Sequence, residues 1–305
     1  MGDRNGIGPE IAVKLLTDAE SHAMAELELV GNPKVLASVP GADSVEITAF
    51  APEADAPLTP GEATAAAGRE VLASLSMAAK RVTAGEADGL LFAPLNKEAM
   101  HLGGLAQEDE MRFLAHELDY QGDFGELNVL DGLWTTRVTS HVPLSQVAGE
   151  ITIARVGQSI RFAHDTLQSA GYATPRIAVA ALNPHAGDGG NFGREEIDVI
   201  EPAVSAAQDD GLAVEGPFPS DTVFVRAQRG EFDCVVTMYH DQGQIAMKLM
   251  GFGQGVTVLG GLPIPAATCG HGTAYDIVGT GQATPAALKN ALKLCVDMAK
   301  GKARS

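Results

Sequence analysis

The chain has 305 residues, of which 45% are hydrophobic, and 39 acidic against 21 basic residues give it a net charge of −18. This composition excludes a disordered or fibrous protein. So acidic a chain argues against specific binding of nucleic acid or of anionic membranes. No apolar run approaches the about 18 residues of a membrane span, and we identify no signal peptide before the first motif. Three cysteines without a C-x-x-C pair favour reduced thiols and a cytoplasmic protein.

The chain opens on a glycine-rich turn, residues 2–10, which leads into a predicted helix. Such a turn normally follows a strand, so the first strand is either upstream of this start or lost. Short apolar runs then alternate with helical patterns, which predicts an α/β fold with mixed, mainly parallel sheets. The predicted strands are Leu27–Val30, Val45–Thr48, Gly89–Phe92, Arg176–Ala181, Cys234–Met238 and a hairpin of Leu127–Leu130 with Leu133–Ser140. The predicted helices are Gly61–Thr83, one from Asn96, Ile151–Ser169, Glu195–Ala207 and Thr284–Lys300.

Three of the eight histidines, His141, His185 and His240, directly follow predicted strands. In an open α/β sheet the ligand crevice lies at the carboxyl ends of the strands. Three imidazoles at that edge are a suitable donor set for a divalent metal that keeps one coordination position open. The alternative is that each histidine is an isolated turn residue bonded to nearby backbone.

Two further features accompany these histidines. Asp221 either orients a ligand histidine or is the N-cap of the helix that follows it. The glycine-rich loop of residues 183–193 either cradles an anion or is a flexible turn that positions His185.

A segment rich in small residues, 271–281, is a candidate for cofactor binding. Gly272 permits close approach of the backbone, His271 can stack on an adenine, and Asp276 can accept a hydrogen bond from a ribose hydroxyl. Neither the G-x-G-x-x-G fingerprint nor a P-loop occurs in the chain. Spacing alone leaves an ordinary small-residue loop open as the alternative.

Two lysines are candidates for contact with a substrate. Lys97 follows a predicted buried strand, and Lys248 lies eight residues after His240. Either can neutralise a substrate anion, or move a proton if desolvation lowers its pKa. Alternatively, each is a solvated surface residue. Cys234 and Cys295 are interpreted as buried small hydrophobes rather than nucleophiles.

Nine motifs occur in the order found in the 4-hydroxythreonine-4-phosphate dehydrogenase family of pyridoxine biosynthesis. They are GDRNGIGPEI, APLNKEAM, SHVPL, LNPHAGDGGNFG, GPFPSDTVF, MYHDQG, KLMGFGQGV, GLPIP and HGTAYDIVGTG. The chain thus resembles this family over nearly its whole length. The first and last motifs also resemble those of isopropylmalate and isocitrate dehydrogenases, in which the last loop holds the adenosine half of NAD(P).

The resemblance implies a two-lobed isocitrate/isopropylmalate dehydrogenase-like fold, whose active site is completed by a second subunit of a homodimer. Residues 1–105 plus 265–305 would form the lobe on the cofactor side, and residues 106–264 the lobe with the metal and the dimer contacts. Asp221 and Lys248 would be catalytic, and Lys248 would also bind the substrate. The other implied site residues are the metal ligands His141, His185 and His240 and the cofactor-binding residues His271, Gly272, Thr273, Ala274 and Asp276.

Four positions depart from the substrate pocket of that family. Glu110 and Met111 replace its His-Thr pair, Thr257 replaces an Asn, and Ala266 replaces an Arg. The pocket therefore loses cationic and donor groups and gains a carboxylate. An anion without its Arg partner loses one of its stronger polar contacts, so we expect a substrate with less negative charge at its far end.

We therefore expect a metal-dependent, NAD- or NADP-linked dehydrogenase of a small hydroxy acid, decarboxylating if the product is a β-keto acid. Zinc is the expected metal, ahead of magnesium, manganese and cobalt. Alternatives among enzymes are a D-threonate or D-erythronate 4-phosphate dehydrogenase and a terephthalate-type cis-dihydrodiol dehydrogenase. An alternative from another class is a paralogue that binds a metabolite or metal without turnover, which the three retained histidines disfavour.

Overall fold

The structure is a computed structural model that describes residues 1–251 and 253–302. The chain divides into two compact units. Among the described residues, unit 1 comprises Met1–Gly122 and Val256–Ala299, and unit 2 comprises residues 123–251, 253–255 and 300–302. No helix of the described residues is both long enough and apolar enough to cross a membrane.

The helices and strands are numbered here in chain order. The α-helices are α1 (Gly8–Leu16), α2 (Ala19–Met24), α3 (Pro33–Leu36), α4 (Ala65–Thr83), α5 (Lys97–Leu102), α6 (Glu110–Glu117), α7 (Leu144–Glu150), α8 (Ile153–Ser169), α9 (Glu201–Asp209), α10 (Ser220–Gln228), α11 (His240–Gly251) and α12 (Ala286–Lys302). The strands are β1 (Leu29–Gly31), β2 (Ile47–Ala49), β3 (Leu90–Phe92), β4 (Gly125–Leu130), β5 (Leu133–Arg137), β6 (Ile177–Ala180), β7 (Val214–Phe218), β8 (Cys234–Thr237), β9 (Val256–Gly260) and β10 (Ala266–Cys269).

Side-chain caps fix the starts of several helices. The side chain of Thr64 accepts a hydrogen bond from the Ala67 amide at the start of α4. Asn96 caps α5 in the same way, and Thr152 caps α8. Each cap satisfies one of the amides that the first turn of a helix leaves without a partner. The predicted helices at α4, α5 and α8 therefore exist, but α4 and α8 begin a few residues later than predicted.

Unit 1 contains two small sheets. Strands β1 and β2 pair in parallel. In the second sheet, β10 pairs with β3 in parallel and with β9 in antiparallel orientation. A cluster of apolar side chains from α1, α12 and the strand ends packs around this sheet. It contains Ile7, Ile11, Leu15, Ala93, Cys269, Ala283, Ala287, Leu288 and Leu292.

Unit 2 contains a five-stranded run in the order β4-β5-β8-β6-β7. The β4–β5 hairpin turns at Asp131 and Gly132, both at positive φ, as the Asp-Gly dipeptide predicts. The other pairs in this run are parallel. Every residue of β6 and β8 is buried, which is typical of parallel strands covered on both faces. The predicted α/β class with mainly parallel sheets is confirmed.

The unit boundaries differ from the predicted lobe boundaries because unit 1 extends further along the chain at both junctions. Helix α6 packs against α4, both within unit 1. Strand β9 pairs with β10 in the same unit. These tertiary contacts connect residues far apart in sequence, and no change in composition marks them.

Some local predictions are wrong. Asp221 is not an N-cap, because Pro219 holds that position of α10 and Asp221 lies in the first helical turn. The predicted helix Glu195–Ala207 is a π-turn, Glu196–Ile200, followed by α9, with Pro202 near the junction. Proline has no backbone N–H, so it cannot donate the hydrogen bond that would continue a regular α-helix. Elements α6, α11, β7, β9 and β10 were not predicted, since short apolar runs do not distinguish strand from helix.

Candidate active site

Unit 2 carries the three histidines at one edge of its sheet. Strands β5, β6 and β8 run parallel to one another, so the segments that follow them leave the sheet at the same edge. His141 follows β5, His185 follows β6, and His240 is the first residue of α11 after β8. This edge is where an open α/β sheet binds its ligands.

His141 and His240 lie side by side. Their ring centroids are 5.9 Å apart, with the planes inclined by 42°. Nδ1 of His240 lies 2.7 Å from Oδ1 of Asp241, and a carboxylate on one ring nitrogen leaves the other nitrogen, Nε2, available to a ligand. Two imidazoles that bind one ion at about 2.1 Å have centroids roughly 5–6 Å apart. The pair therefore fits two ligands of one divalent cation.

His185 lies outside that pair. It is exposed, and its ring centroid is 6.2 Å from that of Phe192. Across residues 1–251 and 253–302 of this one chain, no three His, Cys, Asp or Glu side chains are grouped so that they could hold a metal. The structure therefore brings together two of the three predicted ligands.

The loop that carries His185 has a left-handed backbone. His185, Ala186 and Asp188 have φ of 53°, 53° and 44°. Non-glycine residues in this region cost of order 1–3 kcal/mol each and persist only where the surroundings impose them. The surroundings here include Glu196, whose side chain is fully buried.

The carboxylate of Glu196 fixes the start of this loop. Its Oε1 accepts hydrogen bonds from the amides of Leu182 and Asn183 at 2.9 and 2.7 Å, and the Asn183 side chain donates to its Oε2 at 3.0 Å. These amides are the donors that an anion cradle would need. Glu196 already occupies these two amides and thereby fixes the backbone that leads to His185.

The two proposed catalytic side chains of unit 2 lie on helices near this edge. Asp221 is exposed in the first turn of α10, and Lys248 is exposed on α11, two turns after His240. Lys248 lies between Ile245 and Leu249, two exposed apolar side chains of the same helix.

In unit 1 the structure brings together two candidates from separate motifs. Nζ of Lys97, at the start of α5, lies 3.9 Å from Oε2 of Glu110, at the start of α6. The Glu110 side chain is only 13% exposed, whereas half of the Lys97 side chain is exposed. Met111, the next residue, is buried. The carboxylate that replaces the family's histidine therefore has a cationic neighbour.

Thr257 and Ala266 lie on the same face of the β9–β10 pair. Thr257 is directly opposite Thr268, and Ala266 is two residues from Thr268, so the alternation of a strand puts all three on one face. Ala266 is fully buried. The register therefore supports a single surface on which the family's Asn and Arg positions are neighbours.

The candidate cofactor segment of unit 1 is held by the glycine-rich turn at the start of the chain. The Ile7 amide donates to the Thr273 carbonyl at 3.0 Å, and the Tyr275 hydroxyl donates to Oδ2 of Asp3 at 2.6 Å. Ala274 between them has a φ of 43°. A Cβ on Gly272 would meet nothing within 4 Å. Hydrogen bonds from the N-terminal turn thus fix the loop, while Gly272 faces open space.

Sequence reasoning missed the role of Asp3 in this arrangement. Its side chain is fully buried, and burial raises the pKa of its carboxyl above the usual range. Burial, reinforced by the hydrogen bond to Asp3 and by the charge of Asp3, also raises the pKa of the Tyr275 hydroxyl. Both residues belong to quoted motifs, yet no sequence spacing indicates a contact between residues so far apart.

The cysteines do not take part in this chemistry. Cys234, Cys269 and Cys295 are buried and are not joined in disulfides. Burial raises the pKa of the Cys234 thiol and raises that of Cys269 to about 12. A thiol is a nucleophile only when it is deprotonated, so the interpretation of Cys234 and Cys295 as hydrophobes agrees with their burial.

Comparison with known proteins identifies relatives along the whole chain. Residues 9–295 match the family described as "Pyridoxal phosphate biosynthetic protein PdxA". The "Putative 4-hydroxythreonine-4-phosphate dehydrogenase 2" of Pseudomonas aeruginosa is 45% identical, covering 99% of this chain and 96% of the relative. The D-threonate 4-phosphate dehydrogenase of Pectobacterium atrosepticum is 36% identical over 98% of both chains. A crystal structure of 4-hydroxythreonine-4-phosphate dehydrogenase from Klebsiella pneumoniae superimposes with a TM-score of 0.83, at 35% identity over 98% of both chains.

Proposed function

Because the chain belongs to the PdxA family, whose named members are dehydrogenases acting on a CH–OH group, we propose that it oxidises a secondary alcohol of a small hydroxy acid. Membership implies a nicotinamide cofactor and a divalent metal in general terms.

The observation that carries the metal assignment is the pairing of His141 with His240 at a ring distance of 5.9 Å. We propose these two residues and His185 as the ligands. Zinc is preferred because imidazole nitrogens suit it, with magnesium, manganese and cobalt as alternatives.

A second subunit completes the coordination in this proposal, since one chain groups only two of the three histidines. Its support is two exposed apolar side chains in the segments that carry the pair. Leu144, three residues after His141, is 71% exposed, and Leu249 on α11 is 83% exposed. Exposed apolar patches are typical of subunit interfaces, and we propose a homodimer with a shared active site.

The roles of the chain's own residues follow from the reaction. Oxidation removes a hydride from the carbinol carbon and a proton from its hydroxyl, and leaves a carbonyl group. A divalent cation held by His141, His185 and His240 would lower the pKa of that hydroxyl, and a nicotinamide cofactor held by the segment His271–Gly279 would supply the hydride acceptor. Lys248 holds the substrate anion or moves the proton, and Asp221 orients a ligand histidine. A β-keto acid product would then lose CO₂.

The cofactor is assigned to the segment His271–Gly279 of unit 1. We propose that His271, Gly272, Thr273 and Ala274 contact the adenosine half of NAD or NADP, with Asp276 accepting from a ribose hydroxyl. Asp276 is exposed, and the loop beneath it is fixed by Asp3 and Ile7. A preformed loop of this kind binds its ligand without a further ordering cost.

The substrate proposal rests on the four residues of unit 1 that differ from the substrate pocket of the family. We propose that Glu110, Met111, Thr257 and Ala266 contact the far end of the substrate and favour a group less anionic than a phosphate. D-threonate or D-erythronate 4-phosphate remains the second candidate, because a D-threonate 4-phosphate dehydrogenase is among the relatives. A cis-dihydrodiol carboxylate is the third.

The test is turnover by metal-depleted and metal-restored protein, with NAD and with NADP. We expect chelation to abolish turnover and zinc to restore it. Full turnover after chelation would overturn the metal assignment. Tight binding of NAD and metal without turnover on any candidate substrate would instead favour a non-catalytic paralogue. A cytoplasmic location is also part of the proposal, supported by the three free cysteines.

A further inference from the structure

Four segments of unit 2 carry candidate groups, and they leave the sheet at the ends of separate strands. The strand ladder ends at Arg137, Ala180 and Thr237, several residues short of the histidines in the first two cases. Backbone hydrogen bonds of Val138, Thr139 and Ala181 extend the strand pairing by one or two residues, and side-chain contacts add to what sets the spacing between these segments.

One side chain bonds to three of them. Nε2 of Gln242 donates to the Ala181 carbonyl at 2.8 Å and to the Ser220 hydroxyl at 2.7 Å. Its Oε1 accepts from the Met238 amide at 2.7 Å. Ala181 begins the segment that leads to His185, Ser220 precedes Asp221, and Met238 lies two residues before His240.

This network has only one proton arrangement. A backbone amide can only donate and a carbonyl can only accept, so the amide of Gln242 cannot be reversed. The Ser220 hydroxyl accepts from Gln242 and donates its own proton to the Ala181 carbonyl at 2.7 Å. Every proton of the Gln242 amide is used, which is the condition for a polar network to stabilise one geometry.

The fourth segment is joined to the same network through Met238. The Met238 carbonyl accepts hydrogen bonds from the amide and the hydroxyl of Thr139, at 3.1 and 2.8 Å. Thr139 lies two residues before His141. The backbone of Met238 thus connects Gln242 on one side with the His141 segment on the other.

We propose that Gln242 is a positioning residue that sets the spacing of the segments carrying His141, His185, Asp221 and His240. This inference rests on the proposed function, because the spacing matters only if these groups act together. Gln242 itself contacts neither metal nor substrate. Loss of groups that orient metal ligands typically weakens binding 10- to 100-fold.

The experiment compares wild-type protein with Gln242→Met and Gln242→Glu. Methionine keeps the length of the side chain and removes all three hydrogen bonds. Glutamate keeps the acceptor for Met238 but places an oxygen against the Ala181 carbonyl. The matched control is Gln208→Met, since Gln208 donates to the Val214 carbonyl at 2.8 Å, at the opposite end of β7.

Two measurements are made on the full chain. Cobalt titration, followed by its visible absorption, should show binding about 10- to 100-fold weaker in both Gln242 variants and unchanged in Gln208→Met. Amide hydrogen exchange of the metal-free protein should be faster at Met238 and over residues 181–192 in the Gln242 variants alone. Cobalt affinity of Gln242→Met within twofold of wild type, in a folded protein, would overturn the proposal.

Failure of the proposed function gives a different result. If wild-type protein binds no cobalt, the metal assignment fails, while the exchange rates still decide whether Gln242 fixes the segments. If Gln242→Met does not fold, Ser220→Ala replaces it, because it removes one partner of Gln242 and one of Ala181. We then expect an intermediate loss of cobalt affinity, and an affinity equal to wild type would overturn the inference.

Discussion

Nζ of Lys97 and Oε2 of Glu110 are 3.9 Å apart, and each residue begins a helix of unit 1. Where the family has a histidine, this chain has the carboxylate of Glu110, and the opposite charge of Lys97 lies next to it. A phosphate that approaches Lys97 must compete with a carboxylate that is already there. A neutral hydroxyl or a carboxamide meets no such competition.

We therefore expect poor turnover of 4-hydroxythreonine 4-phosphate. Its kcat/KM should be at least ~10²-fold below that of a better substrate, which corresponds to roughly 2.7 kcal/mol of transition-state binding. The panel is 4-hydroxythreonine 4-phosphate, D-threonate and D-erythronate 4-phosphates, their unphosphorylated forms and a cyclic dihydrodiol carboxylate. If 4-hydroxythreonine 4-phosphate gives the highest kcat/KM, the argument from the pocket is wrong.

Glu110→Gln tests the same pair directly. The variant keeps the shape of the side chain and frees Lys97 for an anion, so the preference for phosphorylated over unphosphorylated substrates should rise. Lys97→Met should lower that preference. Lys34→Met is the control, because it removes a lysine from an exposed ion pair with Asp55, and exposed pairs contribute little. An unchanged preference in Glu110→Gln would remove Glu110 from the substrate pocket.

Substitution of the proposed metal ligands should release the metal. His141→Ala, His185→Ala or His240→Ala should each lose most of the bound divalent ion and nearly all turnover, because two remaining ligands hold the ion weakly. Metal analysis of the purified variants provides the measurement. His164→Ala is the control, since His164 also contacts a neighbouring aspartate, with Nδ1 3.0 Å from Asp165. Full occupancy in His185→Ala would restrict the site to the other two histidines.

Substitutions in the cofactor segment should affect cofactor affinity alone. Gly272→Ala adds a methyl group into open space within the chain, so only a bound dinucleotide can oppose it, and KM for the cofactor should rise. Asp276→Ala should weaken cofactor binding by about 1.5–3 kcal/mol, typical of a lost hydrogen bond to a charged group. Gly149→Ala, also into open space, is the control. Unchanged cofactor affinity in both variants would indicate that the segment 271–281 is a loop that does not bind the cofactor.

The buried Asp3 should make stability depend on pH. Burial raises the pKa of its carboxyl above the ordinary value of 3.8, so the folded protein holds this proton more tightly than the unfolded chain. The free energy of unfolding should therefore fall as the pH rises from about 3.8 through the raised pKa. Asp3→Asn should lack this loss. Urea unfolding of both proteins from pH 4 to pH 7 measures the difference, and parallel curves would contradict the assignment.

The sequence predicted strands β5, β6 and β8 of unit 2 because each is an apolar run that precedes a histidine, whereas β7 precedes none. It also predicted the α4 and α8 helices, although their caps, Thr64 and Thr152, shift the starts. The contact between Lys97 and Glu110 was not predictable, because it depends on how α5 and α6 are placed. Gln242 was missed for a similar reason, since its partners Ala181 and Ser220 are distant in sequence. The periodicity of apolar residues shows which face of a helix or strand is buried. Hydrogen bonds between loops produce no repeating pattern in the sequence, so they cannot be predicted in this way.

The buried Glu196 has a consequence for redesign of the loop that carries His185. A Cβ on Gly187 would lie 2.7 Å from Oε2 of Glu196, and Gly187 also has a φ of 77°. Positions 187 and 196 are therefore coupled, so a library that randomises the loop while keeping Glu196 should recover glycine at 187. Shortening residue 196 to alanine would remove that contact, but the Gly193 carbonyl oxygen would still lie 3.0 Å from a Cβ at 187. It would also leave the amides of Leu182 and Asn183 without their acceptor. A grafted version of this loop must include the first turn of the helix behind it.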